Sequence, residues 1–197
     1  MGHVHILAKP DWISWEDIHN VLYSAHETNR RNGVDQFTAY LSGDEIERKV
    51  SLGQTFVALD GKKVVGTLSV VPRKKHDWFV EGNALYYMLL GILPEYQGTG
   101  IYSLLISARD DYAKAHNIST IYMHTSENNM RMQKVAMKEG FRLVSFSVSP
   151  KTDYYSVILA KWLNGCPFSS FYCKFRFLVN KYLCKMRYKP GKVKRFF

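Results

Sequence analysis

The sequence predicts an α+β domain, a mixed sheet flanked by helices, followed by a basic, aromatic-rich helical tail. Three observations point there. Stretches of period-two alternation and of helical spacing follow one another in the order β-α-α-β-β-β-α-β-α-β-β. One segment, Asn83–Leu93 (NALYYMLLGIL), is almost wholly apolar, as expected of a central strand covered on both faces. The charge is also unevenly spread. The 197 residues carry 27 Lys+Arg against 17 Asp+Glu, a net of +10. Yet residues 1–161 hold 18 bases and 17 acids, whereas residues 162–197 hold nine bases and no acid. A nearly neutral body, 1–161, is therefore expected to precede a cationic extension, 162–197, with an anionic partner.

Hydrophobic residues make up 46% of the chain and charged residues 22%, enough to bury a core and unlike the composition of disordered chains. No apolar run is long enough for a transmembrane helix. The N-terminal MGHVHILAKPDW lacks a basic segment followed by an apolar one, and Ile6 breaks the myristoylation pattern, so neither a secretory leader nor that anchor is expected. Cys166, Cys173 and Cys184 are odd in number and lack zinc-ligand spacing. They read as reduced thiols of a cytoplasmic protein without a metal site.

His3–Ala8 alternates as a short strand. Trp15 to Asn29 places Ile18, Val21, Leu22 and Ala25 at helical spacing behind Ser14, a candidate N-cap. Gly43-Asp44-Glu45-Ile46-Glu47 opens a second helix, with acids in the first turn where the dipole favours them. Thr55–Asp60 and Lys63–Val71 flank Asp60-Gly61-Lys62, a hairpin signal because the glycine supplies a positive φ. After the apolar strand, Gly98–His116 is helical, with Ile101, Leu104, Leu105, Ala108 and Tyr112 on its expected buried face. Ser119–Thr125 is a strand, Asn129–Glu139 a helix stopped by Gly140, and Phe141–Ser147 and Tyr154–Ala160 are the closing strands. Asn164-Gly165-Cys166-Pro167 breaks the pattern before the tail.

Leu90–Leu105 (LGILPEYQGTGIYSLL) runs from the apolar strand through a Pro-marked turn and a Gln-Gly-Thr-Gly loop into a helix. A glycine loop at a helix start leaves backbone N–H groups uncommitted at the positive end of the dipole. That arrangement binds phosphate, although the same pattern also serves as a plain tight turn. It is neither a Walker A loop nor the G-x-G-x-x-G nucleotide fingerprint. Ile92-Leu93-Pro94 is followed by Gln97-Gly98-Thr99-Gly100-Ile101-Tyr102, and Asn129 stands eleven and twelve residues before Gly140-Phe141. In both pieces residues 1–161 resemble the GNAT superfamily of acetyl-CoA-dependent N-acyltransferases, whose signature is [Gln/Arg]-x-x-Gly-x-[Gly/Ala] after an aliphatic-x-Pro turn. The resemblance implies a mixed, mostly antiparallel sheet whose central parallel strands, 84–93 and 119–126, splay around acetyl-CoA, the acyl donor. Backbone groups of Ile92, Leu93 and Pro94 would pair with the pantetheine arm like an added strand. Behind Gln97, the amides of Gly98, Thr99, Gly100, Ile101, Tyr102 and Ser103 would hold the pyrophosphate. Asn129 would hydrogen-bond the arm, its alternative being a plain helix N-cap.

The implied reaction moves an acetyl or related acyl group from acyl-CoA to an unidentified primary amine by direct attack in a ternary complex. Backbone N–H groups at a strand bulge near Ile92 would hold the oxyanion. Two positions depart from the family pattern. Tyr102 stands where Gly or Ala is frequent, and Ala136 stands where the family's tyrosine acid protonates the leaving thiolate. A base is also needed, because an amine of pKa about 10 is protonated at neutral pH. The place of the carboxylate that some members use is held by Tyr86, and Glu81 and His124 are the other candidates. Tyr87 faces the opposite side of its strand from Tyr86, so at most one of them lines the gap. The missing acid keeps a second reading open, a non-catalytic CoA-binding or scaffold module.

The last 36 residues contain ten aromatics. On a helical wheel Phe171, Phe175, Leu178, Val179, Tyr182 and Met186 form one stripe, flanked by Lys174, Lys181 and Lys185 on one side and Arg176 and Arg187 on the other. Three partners suit it: the protein's own body, an anionic membrane surface, or single-stranded nucleic acid.

Overall fold

The computed structural model describes residues 4–31, 33–34, 37–73, 77–148 and 154–188. The expected strand start at His3 and the tail residues 189–197 lie outside them. The chain divides into two compact units, residues 1–74 with 85–118, and residues 75–84 with 119–197.

In the first unit β1 (Val4–Ala8), β2 (Gln54–Asp60), β3 (Lys63–Arg73) and β4 (Ala84–Ile92) lie side by side in chain order. The β1–β2 and β2–β3 pairings are antiparallel, and Gly61, at φ +61°, turns the β2–β3 hairpin as expected. α1 (Trp15–Ala25) and α3 (Gly43–Val50) both start with reciprocal caps, Ser14 with Asp17 and Ser42 with Glu45. The helix expected to reach Asn29 breaks at His26, where α2 (Glu27–Arg31) begins after it, and a 3-10 turn at Phe37–Tyr40 follows.

Alternation along β2 feeds both faces of the sheet. Val57 and Leu59 join Ile18, Leu22, Ile46 and Leu89 in the core under α1 and α3. Phe56 meets Tyr112 of α4 (Ile101–Ala115) edge-on at 6.1 Å. The buried face of α4 differs from the expected one: Ile101, Leu105, Arg109 and Ala113 are buried, while Leu104 is exposed. Arg109 can occupy that face because its guanidinium bonds Asp110 at 2.7 Å and lies over the Tyr87 ring at 4.9 Å.

In the second unit β7 (Tyr155–Trp162) lies between β5 (Thr120–Ser126) and β6 (Arg142–Val148), antiparallel to both. α5 (Met130–Lys138) follows β5, and α6 (Ser170–Arg187) packs on β6. Trp162, the expected first residue of the extension, is the last residue of β7 and is buried. The face of α6 that meets the body is not the expected stripe. Cys173, Phe177 and Cys184 are buried, and the Asn180 oxygen accepts bonds from the Phe146 N–H at 2.6 Å and the Ser145 hydroxyl at 3.0 Å. Burial pushes the Cys173 and Cys184 thiols up in pKa, the opposite of activation.

Candidate functional site

The Gln-Gly-Thr-Gly loop is braced from within. A 3-10 turn, Pro94–Tyr96, leads from β4 into it. The Tyr96 hydroxyl donates to Asp60 at 2.8 Å and Lys63 meets Glu95 at 3.1 Å, tying the turn to the β2–β3 hairpin. That bond to Asp60 raises the Tyr96 phenol above its ordinary pKa, so it remains a donor. Gln97 donates its side-chain amide to the Ile92 carbonyl at 3.1 Å, and Thr99 its hydroxyl to the Tyr96 carbonyl at 2.6 Å. Both side chains thus hold the turn's own backbone.

Gly98 and Gly100 have φ of +81° and +91°, which side-chain-bearing residues rarely adopt. A Cβ at either place would have no atom within 4 Å, so conformation requires the glycines and the space beside them is open. Gly100 opens α4 without a side-chain cap, and the first-turn N–H groups have no carbonyl one turn earlier. A pyrophosphate fits this helix start in charge, donors and room. Tyr102 does not obstruct it. Its hydroxyl is buried, without a hydrogen-bond partner among the described residues, and none of its atoms approaches the two glycines' open side.

The β4 strand is irregular at Leu89, a non-glycine residue at φ +53°. This irregularity lies three residues before the bulge expected near Ile92. α1 packs closely beside it. A Cβ on Gly91 would stand 3.1 Å from Leu22 Cδ2 and 3.2 Å from Ala25 Cβ. His26, just past α1, hydrogen-bonds the Leu90 backbone, and its Nδ1 faces Asn29 Nδ2 at 3.3 Å. Burial, aided by Arg30, lowers the His26 pKa to about 4, so the ring braces this strand as a neutral imidazole. The sequence reading missed His26 and Gly91. A glycine inside an apolar strand was the available signal.

Of the two strand tyrosines, Tyr87 is core, 3% exposed, and Tyr86 is half-buried on the other face. In the second unit Asn129 caps α5, its side-chain oxygen accepting from the Met132 N–H at 3.1 Å, so the plain cap role is present. Gln133, unnoticed in the sequence, is buried and pins the β5–α5 loop by donating to the Ser126 and Glu127 carbonyls at 3.1 and 2.9 Å. Ala136 is fully buried. His124 is the exposed residue within the otherwise buried strand β5, two residues before its end. Glu81 is exposed in a loop whose backbone exchanges bonds with the Thr120 hydroxyl at 3.1 and 3.0 Å. Thr120 begins β5, and His124 lies four residues on, about 13 Å along a strand. Glu81 and His124 therefore do not act as one pair. Among the described residues no cluster of His, Cys, Asp or Glu could hold a metal ion.

The model of the acetyltransferase (GNAT) family matches residues 12–141, which include the glycine loop, Asn129 and Gly140-Phe141. No curated protein matches the chain. Among solved structures, a GNAT family acetyltransferase from Elizabethkingia anophelis with acetyl-CoA bound is 14% identical, with a TM-score of 0.62 over 83% of this chain and 100% of its own. An acetyltransferase from Streptococcus agalactiae 2603 is 18% identical, with a TM-score of 0.62 over 81% of this chain and 98% of its own. The ribosomal-protein-S18-alanine N-acetyltransferase from Escherichia coli is 12% identical, with a TM-score of 0.56 over 82% of this chain and 94% of its own. At these identities the likeness is one of fold.

Proposed function

Because the chain belongs to the acetyltransferase (GNAT) family, we propose that it moves an acetyl or related acyl group from acyl-CoA to a primary amine. The observation that carries the proposal is the 98–103 turn, two glycines at positive φ opening an uncapped helix beside open space. In this reading its amides take the pyrophosphate, and backbone groups of Ile92, Leu93 and Pro94 take the pantetheine arm. Asn129, whose oxygen serves α5, keeps an amide nitrogen for a ligand bond.

The amine nitrogen attacks the thioester carbonyl, a C–N bond forms, and the C–S bond breaks to release the thiolate. In this reading backbone N–H groups of β4 near the Leu89 irregularity hold the oxyanion, a role that needs fixed donors rather than a protein nucleophile. The proton shed by the amine passes to His124, or to the Tyr86 hydroxyl as that group hands its own proton on to water, or through water to Glu81. An imidazole suits proton transfer near neutrality. A thiol of ordinary pKa, about 8.5, regains its proton from water, so the alanine at 136 slows the last step without forbidding it. The three free thiols fit a reducing compartment such as the cytoplasm.

The buried methyl of Ala136 also favours a second reading, a CoA-binding module that does not turn over. Release of free CoA thiol from acetyl-CoA, with and without a panel of primary amines, separates the two. Amine-dependent release with a matching acylated product supports transfer. Acetyl-CoA binding without release for any amine supports the module.

A further inference from the structure

α6 carries two apolar faces. Cys173, Phe177, Asn180 and Cys184 follow an i, i+4, i+7, i+11 spacing and meet the body. Phe171, Phe175, Leu178 and Tyr182 repeat that spacing two residues out of step, about 200° around the helix. With Val179 and Met186 they form an outer face whose members are between 41% and 78% exposed. The helix is also held firmly against its own unit. Arg142 donates to the Phe168 carbonyl at its start, Asn180 caps the Phe146 N–H at its middle, and the Tyr155 hydroxyl donates to the Tyr188 carbonyl at its end. Docking on the body therefore leaves the outer face uncovered.

Charge decides what covers it. Lys174, Lys181 and Lys185 rim one side of the face, Arg176 and Arg187 the other, and α6 has no acid. Lys181 and Lys185 share Glu127, at 3.8 and 3.0 Å, which offsets one of these charges. Residues 189–197 add four bases, two phenylalanines and no acid to the sequence. A second copy of the chain would bring an equally cationic rim against this one. A nucleic acid would satisfy the bases but gain little from Leu178, Val179 and Met186. No described helix is long and apolar enough to cross a bilayer. We propose that the outer face of α6 lies on an anionic membrane surface, its aromatic and aliphatic side chains in the headgroup–acyl boundary and its rim bases on lipid phosphates.

The test uses the full chain and sedimentation with two kinds of vesicle, phosphatidylcholine alone and phosphatidylcholine with about 30 mol% phosphatidylglycerol. The expected result is binding to the anionic vesicles at least about tenfold stronger than to the neutral ones, weakening as salt is raised. Phe175→Glu with Leu178→Glu should abolish binding while the thermal transition is kept, because both side chains are exposed. Lys174→Glu with Arg187→Glu should lower binding by about tenfold or more. The proposal is overturned by equal binding to both vesicles, by no binding, or by binding that survives Phe175→Glu with Leu178→Glu. It is also overturned if the face proves to be a dimer contact, lost by light scattering in that double variant while vesicles are ignored, or if an oligonucleotide is held more tightly than the anionic vesicles.

Discussion

The two units hold their functional features in different ways. In the first, the feature is backbone: Gly98 and Gly100 at positive φ, the Leu89 irregularity and the uncapped start of α4. Side chains there act as braces, Gln97 on Ile92, Tyr96 on Asp60, His26 on Leu90. In the second, the features are side chains, with Asn180 and Gln133 satisfying distant or looped backbone groups and His124 exposed on β5. Backbone sites demand glycines at set spacings and so leave a motif. Side-chain sites demand only a suitable residue somewhere, and leave almost none.

The largest effect expected to sharpen this contrast is on turnover. Tyr86→Phe in the first unit or His124→Ala in the second should lower a confirmed transfer rate by about 10²–10⁴-fold with acetyl-CoA affinity little changed. Steady-state kinetics with calorimetry decide it. If neither variant slows the reaction, the proton leaves through water to Glu81.

Stability against pH separates the units in opposite directions. His26 has a folded pKa of about 4 against 6.5 for a free imidazole. The unfolded chain binds its proton more readily, so its contribution is present above pH 6.5 and is lost as the pH falls towards 4, a change of roughly 3 kcal/mol at most. Burial raises the Glu139 carboxyl to about 7, against 4.5. Its contribution is present below pH 4.5 and is lost as the pH rises through 7, and Lys161 and solvent reduce its size. Hydrogen exchange across this range should loosen β4 on the acid side in wild type but not in His26→Phe. Exchange near α5 and β6 should show the reverse trend, removed by Glu139→Gln.

The contrast also explains what could be read in advance. The glycine loop, the β2–β3 hairpin and the Ser14 cap were legible because each is local, a few residues whose own conformational preferences agree. The face of α4 was misjudged at Leu104 and Arg109 because a buried arginine depends on Asp110 and on Tyr87 in another strand. The α6 stripe was legible as apolar with three partners open, and of these the structure removes the body, which meets another face of the helix. Cys173, Phe177 and Cys184 form a second, sparser face completed by Asn180, a polar residue that periodicity counts against burial.

Smaller effects test that last point. Asn180→Ala leaves the Phe146 N–H without its acceptor and should cost about 1–2 kcal/mol of stability, with faster exchange along α6 and β6. Phe175→Ala, on the outer face, should change stability by less than about 0.5 kcal/mol. Chemical denaturation of the two variants side by side shows which face the body uses, and a reversed order would contradict the docking described.

The central claim is that acyl-CoA is held by the backbone of the 98–103 turn. Its most direct test is a calorimetric titration of acetyl-CoA into the full chain and into Gly100→Asp. The substitution sets a carboxylate where the pyrophosphate would sit and strains a residue at φ +91°. The account predicts one acetyl-CoA per chain, with affinity lowered on the order of a hundredfold in the variant, a loss of about 2.7 kcal/mol, while near-ultraviolet circular dichroism shows both chains folded. Unchanged affinity in a folded Gly100→Asp protein, or no acetyl-CoA binding by the wild type, would contradict it.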